Sequence, residues 1–281
     1  MSAQFAENSS YFFFDADHYR KLGRENAETF SSNQPFPHVV INNFLPESVV
    51  QRVLAERDKK CEGSWRHYSK GGTELHRFIS EHDGSVGSFT RHLLSEFNSA
   101  AMCGFIEELT GISGIVGDPY FQGGGVHSMK RGGQLGVHVD FNKQKHTGMI
   151  RRVNLLLYLN QDWKESYGGH LELWDKEMTR PVQKVLPAFN RCAIFQTSEY
   201  SFHGVPDALN CPRSKSRDCI GLYYYTKALP DTIADEAHST IWRERPGDAS
   251  SGSRLQTLEQ KTTRLVESGF RMVRKLARNG A

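Results

Sequence analysis

Gly136-Val137-His138-Val139-Asp140 sets an imidazole and a carboxylate two residues apart. Alternate residues of a strand share a face, so both side chains would project together. The best third ligand is His203, in Phe202-His203-Gly204-Val205, 65 residues downstream. That interval leaves room for strands to return beside the first. Two histidines and one carboxylate on a face form the set used by non-haem Fe(II), with three octahedral positions left open. Zinc prefers four-coordinate sites, so the set tilts towards iron without excluding zinc. A His-x-Asp pair alone arises by chance; its surroundings give it weight. Arg217 follows His203 by 14 residues and enters the apolar run Ile220-Gly221-Leu222-Tyr223-Tyr224-Tyr225. A guanidinium entering a buried strand needs an anionic partner, and its planar fork suits a carboxylate.

The elements that must carry these residues are short strands. From Tyr120 to Thr226 the chain alternates brief apolar runs with Gly, Asn, Asp and Pro. The pattern predicts strands at Val126–Met129, Gly136–Asp140, Arg152–Leu159, His170–Trp174, Lys184–Val185, Arg191–Gln196, His203–Val205 and Asp218–Thr226. Many short strands with turns between them suggest a sandwich or jelly roll. Ahead of them, residues 1–33 read as a polar arm, and Val39-Val40-Ile41 as a first strand. Pro46-Glu47-Ser48 opens a helical pattern. Residues 61–90 show no clear period, and 88–110 repeat at helical spacing up to a C-capping Gly111.

With these residues in place, the chain resembles the 2-oxoglutarate- and Fe(II)-dependent dioxygenases, in their prolyl-4-hydroxylase-like branch. The resemblance runs from about Phe36 to Thr226. It is carried by Pro35-Phe36-Pro37-His38-Val39, His138-Val139-Asp140, NLLLYLN from Asn154 to Asn160, Tyr167-Gly168-Gly169-His170-Leu171, His203-Gly204-Val205, and Arg217 before LYYYT. It implies an α+β fold: a double-stranded β-helix (jelly roll, cupin-like) with flanking helices and a C-terminal helical extension. It implies that His138, Asp140 and His203 hold Fe(2+), and that Arg217 and Tyr158 bind the distal carboxylate of 2-oxoglutarate. Asn154, on Tyr158's strand face, would point towards the cosubstrate. The implied reaction consumes O2, converts 2-oxoglutarate to succinate and CO2, and hydroxylates an unactivated C–H bond of a small molecule or an amino-acid residue. L-ascorbate belongs to the same implied cofactor set. Cys219 departs from the pattern: relatives often carry Ser or Thr two residues after the arginine, and a thiol donates weakly. The retained Asp140 argues against halogenation. The competing readings are a non-catalytic jelly-roll binding protein, a zinc or manganese cupin, and a basic-tailed scaffold.

Other residues have simpler readings beside sharper ones. His127, after Gly123-Gly124-Gly125, and Trp65, in the aperiodic segment, are candidates for the substrate side; packing and a solvated loop are their plain alternatives. Gly123–Gly125 and Gly132-Gly133 lack the Gly-Lys-Ser/Thr of a phosphate loop, so turns are expected there. His170 reads as structural. The expected organisation is an arm over 1–34, a dioxygenase domain over 35–230 with its core at 120–227, and a linker and basic amphipathic helix over 231–281.

Composition bounds the rest. The 281 residues carry a net charge of +3 and are 38% hydrophobic, enough for a core. Mean hydropathy is −0.55, and no run reaches the roughly 20 apolar residues of a membrane span. Five scattered cysteines and a start without a secretory pattern lead to the expectation of reduced thiols and a cytoplasmic location. Residues 254–281 carry +5, leaving the remainder at −2, so no nucleic-acid partner is expected. A basic amphipathic helix can lie on a membrane surface or bind a partner; packing on its own domain or homodimer formation is the expectation preferred here.

Overall fold

The structure, a computed structural model, describes residues 12–57, 65–70, 73–80, 85–227 and 237–248. The chain divides into two units, 1–243 and 244–281. The basic helix expected at 254–278, with the dimer contact assigned to it, lies outside the described residues.

The elements in order are α1 (Ala16–Ser32), β1 (His38–Ile41), α2 (Glu47–Arg57), β2 (Arg66–Lys70), β3 (Glu74–Ile79), α3 (Ser88–Glu96), α4 (Ala100–Thr110), β4 (Gly125–Val139), β5 (Ile150–Tyr158), β6 (Leu171–Trp174), β7 (Pro181–Val185), β8 (Cys192–Gln196), β9 (His203–Val205), β10 (Arg217–Thr226) and β11 (Ile241–Trp242). The main strand order is β1-β8-β5-β10-β4-β9-β6-β7. Among the described residues every pairing between these strands is antiparallel. This is the jelly roll that the short strands suggest, in the double-stranded β-helix form that the resemblance implies.

β4 joins the two faces of the roll. Its first residues pair with β10, Met129 opposite Arg217. Its last residues pair with β9, His138 opposite His203. Between them the register shifts, between Leu135 and His138. Gly132 sits at φ 77°, a conformation glycine adopts without strain. Gly132-Gly133, expected as a turn, therefore lie inside one 15-residue strand. The glycines bend the strand instead of ending it.

β10 is buried along its whole length. Alternation explains how both faces are used. Ile220, Leu222 and Tyr224 join Val153, Leu155, Leu157, Cys192 and Ile194 against the helices. Arg217, Cys219 and Tyr223 face the interior cavity. Each fully buried aliphatic chain on the helical side contributes roughly 1.5–3 kcal/mol.

Three expectations change. The polar arm is a helix: Asp15 caps α1 by accepting from the His18 N–H at 2.7 Å, and Tyr19, Gly23 and Phe30 are buried. Gly23 permits close packing on α4, since a Cβ there would lie 2.8 Å from the Phe105 carbonyl oxygen. The pattern over 88–110 is two helices, because the chain turns at Phe97-Asn98-Ser99. Gly111 caps the second at φ 70°. The aperiodic stretch contains a hairpin, β2–β3, whose second strand pairs with β4.

Candidate metal centre

β4 carries His138, Asp140 follows its last residue, and β9 carries His203 directly opposite His138. β9 can approach closely because residue 204 is glycine: a Cβ there would stand 2.8 Å from the carbonyl oxygens of Leu135 and Gly136. The result is a cluster in which one donor atom each of His138, Asp140 and His203 lies within 4.8 Å of the others. His138 Nε2 is 3.5 Å from Asp140 Oδ1, and His203 Nε2 is 3.4 Å from Oδ2. The far nitrogens are tied down: His138 Nδ1 lies 2.9 Å from Gly136 O, and His203 Nδ1 2.8 Å from Ser201 O. Those carbonyls can only accept, so each Nδ1 carries the proton and each Nε2 turns a lone pair towards Asp140. Burial, then the neighbouring His138, lowers the His203 pKa to about 4, which keeps it neutral. This arrangement could hold a divalent metal.

Asp140 is held by groups behind it. Asn154 Nδ2 donates to Oδ2 at 2.7 Å, and Arg151 pairs with the same oxygen at 3.0 Å. Arg151 Nε donates to Asn154 Oδ1 at 2.8 Å, closing a three-residue ring. Burial alone would raise the Asp140 pKa; Arg151 and the two histidines outweigh it and hold the carboxyl well below its usual range. The guanidinium of Arg151 stacks on Tyr223 at 3.4 Å and on Phe141 at 4.6 Å.

At the other end of the cavity stands Arg217, 6% exposed. Its Nε donates to the Gly169 carbonyl at 2.6 Å. Gly169 lies at φ 77°, and a Cβ there would come within 3.0 Å of the arginine's Cδ. Tyr158 is fully buried, with the Arg217 carbon Cζ 5.1 Å from its ring centre. The cavity is lined by His138, Asp140, His203, Asn154, Arg217 and His127, among others. Trp65 does not line it: its indole donates to the Ser85 carbonyl at 2.9 Å, and its ring sits in the apolar core. His170 pairs with Glu165 at 2.6 Å, away from the cavity.

Sequence reasoning passed over Arg151 and Tyr223. Their register explains why. Tyr224 pairs with Val153, but Tyr225 pairs with Arg151, so a bulge takes up Arg152. Strict alternation from Asn154 points residue 151 away from the cavity; the bulge turns it back. An arginine pair at the start of an apolar strand was the one available signal.

Comparison with known proteins agrees with this geometry. Residues 124–225 match the 2OG-Fe(II) oxygenase superfamily. A stretch of 83 residues is 34% identical to the prolyl 3-hydroxylase OGFOD1 of Mus musculus, covering 28% of this chain and 15% of that protein's length. In fold, the chain is similar to a Trichoplax adhaerens prolyl hydroxylase solved with a hypoxia inducible factor peptide, with TM-score 0.55, 21% identity, and 74% and 91% of the two chains covered. A Pseudomonas putida prolyl-4-hydroxylase gives TM-score 0.53 at 17% identity over 73% of this chain and all (100%) of the other. HygX of Streptomyces hygroscopicus, solved with nickel, 2-oxoglutarate and hygromycin B, gives 0.51 at 10% identity over 79% and 97%. Over the strand core that carries the donor cluster, residues 124–225, this chain is thus similar to the 2OG-Fe(II) oxygenase superfamily, and its fold is that of the solved prolyl hydroxylases.

Proposed function

We propose that the chain is an Fe(II)- and 2-oxoglutarate-dependent dioxygenase that hydroxylates an unactivated C–H bond of a small molecule or of an amino-acid residue. The observation that carries this reading is one cavity with a His138–Asp140–His203 donor set at one end and a buried arginine at the other. The donors fit the ion: two neutral imidazole nitrogens and one carboxylate oxygen are the N,N,O set of a facial triad. Iron bound there with 2-oxoglutarate and O2 supplies the oxidising power for hydroxylation, coupled to oxidative decarboxylation to succinate and CO2. The protein contributes position. His138, Asp140 and His203 present their donors. Asn154 and Arg151 fix the carboxylate. Arg217, beside Tyr158, takes the distal carboxylate of 2-oxoglutarate as a charge-assisted pair. The aromatic rings of Tyr223 and Phe141 keep Arg151 in place at the cavity wall.

The local identity to a prolyl 3-hydroxylase supports an amino-acid residue in a peptide as substrate, with a small molecule as the other member of the class. L-ascorbate enters only as an auxiliary reductant. Free thiols at Cys103, Cys192, Cys211 and Cys219 support a reducing, cytoplasmic setting. The test is succinate release. Purified protein with Fe(II) converts 2-oxoglutarate to succinate, slowly even without the prime substrate, and His138→Ala reduces this by roughly 100-fold or more. Undiminished turnover in that variant overturns the reading.

A further inference from the structure

β4, β10 and β5 lie side by side, and their register sets three side chains in a row. His127 is opposite Cys219, and Cys219 is opposite Tyr158. Arg217, two residues before Cys219, shares its strand face. Hydrogen-bonding capacity along this row is uneven. Cys219 brings a thiol, a weak donor. Among the described residues the Tyr158 hydroxyl and His127 Nε2 are both buried with no well-formed hydrogen-bond partner, the hydroxyl having Arg217 and the imidazole the Gly123 backbone as polar neighbours. Orphaned buried polar atoms are costly and uncommon. Two beside a buried guanidinium mark the place of a ligand that satisfies them.

The proton on His127 can be assigned. Its Nδ1 lies 3.4 Å from Arg77 NH2. A guanidinium only donates, so Nδ1 accepts and Nε2 carries the hydrogen. Burial, then Arg77, Arg217 and Arg151, holds the imidazole pKa well below its ordinary value, so the ring stays a neutral donor among cations. Gly221 makes room for it: a Cβ there would lie 3.2 Å from both Cε1 and Nε2. The ring is 8% exposed, faces the same cavity as Arg217, and belongs to neither the donor set nor its supports.

We propose that His127 is a cosubstrate-binding residue: its Nε2–H donates to 2-oxoglutarate beside Arg217, supplying the hydrogen bond that the thiol of Cys219 cannot. The inference rests on the cavity being a 2-oxoglutarate site.

The test measures the 2-oxoglutarate dissociation constant by calorimetry on protein loaded with Mn(II), a stand-in that binds without turnover. His127→Leu weakens binding by about tenfold or more, the scale of one hydrogen bond to a charged group. His127→Gln, which keeps an N–H donor in a side chain of different shape, stays within a few-fold of the parent. Both substitutions disturb packing, so a gap between them reads the hydrogen bond. Adding Cys219→Ser to His127→Leu recovers most of the lost affinity, because a hydroxyl then stands in the row. Mn(II) affinity is unchanged throughout. Parent protein that binds 2-oxoglutarate while His127→Leu binds it equally well overturns the inference and leaves the dioxygenase reading intact. Equal losses in the Leu and Gln variants, with no recovery by Cys219→Ser, also overturn it. Parent protein that takes up Mn(II) but not 2-oxoglutarate overturns both.

Discussion

The two ends of β4 serve one cavity in different ways. At its C-terminal end each metal-donor side chain has its rear atom tied: His138 to Gly136, His203 to Ser201, and Asp140 to Asn154 and Arg151. At its N-terminal end Arg217 donates through Nε to Gly169, and among the described residues the Tyr158 hydroxyl and His127 Nε2 lack a well-formed hydrogen bond, as do two guanidinium nitrogens of Arg151 at the first end. The first end is preorganised to hold a small ion with fixed geometry. Under the proposed function, the second would be completed by the cosubstrate's carboxylate, which can accept several hydrogen bonds.

The comparison breaks most visibly at Arg217. Arg217→Ala is expected to raise the 2-oxoglutarate requirement by roughly 100-fold, the loss of a two-point charged contact, with metal affinity little changed. Steady-state kinetics against each component measure this, and equal effects on both would erase the distinction between the ends.

Much of this division is readable in the sequence. The His-x-Asp pair is local, so one strand period suffices to bring its members together. His203 and Arg217 stand out because each sits at the edge of an apolar run, although Asp218 follows Arg217 directly. What escaped depends on register between strands. Arg151 reaches the cavity through a bulge at Arg152, invisible to alternation. β4 looked like two strands because Gly132-Gly133 resembles a turn, yet tertiary pairing on both sides carries the strand through. The β2–β3 hairpin has a polar surface pattern. It is held by pairing with β4 and by Arg66 and Arg77 on the Tyr68 ring, contacts between residues without an apolar period.

A second prediction sharpens the preorganised end. Asn154→Leu removes one donor to Asp140 and frees Arg151 Nε. Metal affinity is expected to fall by about 10- to 100-fold, with the 2-oxoglutarate requirement moving less. Calorimetric titration with Mn(II) measures it; a larger effect on 2-oxoglutarate would show that Asn154 belongs to the other end.

The smallest effect is on stability. The His203 pKa lies near 4 in the folded chain, against an ordinary value of 6.5. Between those values the unfolded chain binds a proton that the folded chain does not, so stability is lost as pH falls from about 6.5 to about 4. His127 adds in the same direction. For metal-free protein the His203 contribution is at most roughly 3 kcal/mol. Urea unfolding at pH 7 and pH 5 checks the sign; greater stability at the lower pH would contradict it.

β11 has a bearing on how this centre can be watched. It pairs Trp242 with His138 on the edge of β4, and the two rings lie 5.0 Å apart. An open-shell ion held by His138 would stand close enough to that indole to quench its emission. The polypeptide therefore carries a built-in optical probe of occupancy at His138, one that needs neither label nor turnover and that separates loading of the ion from the chemistry that follows.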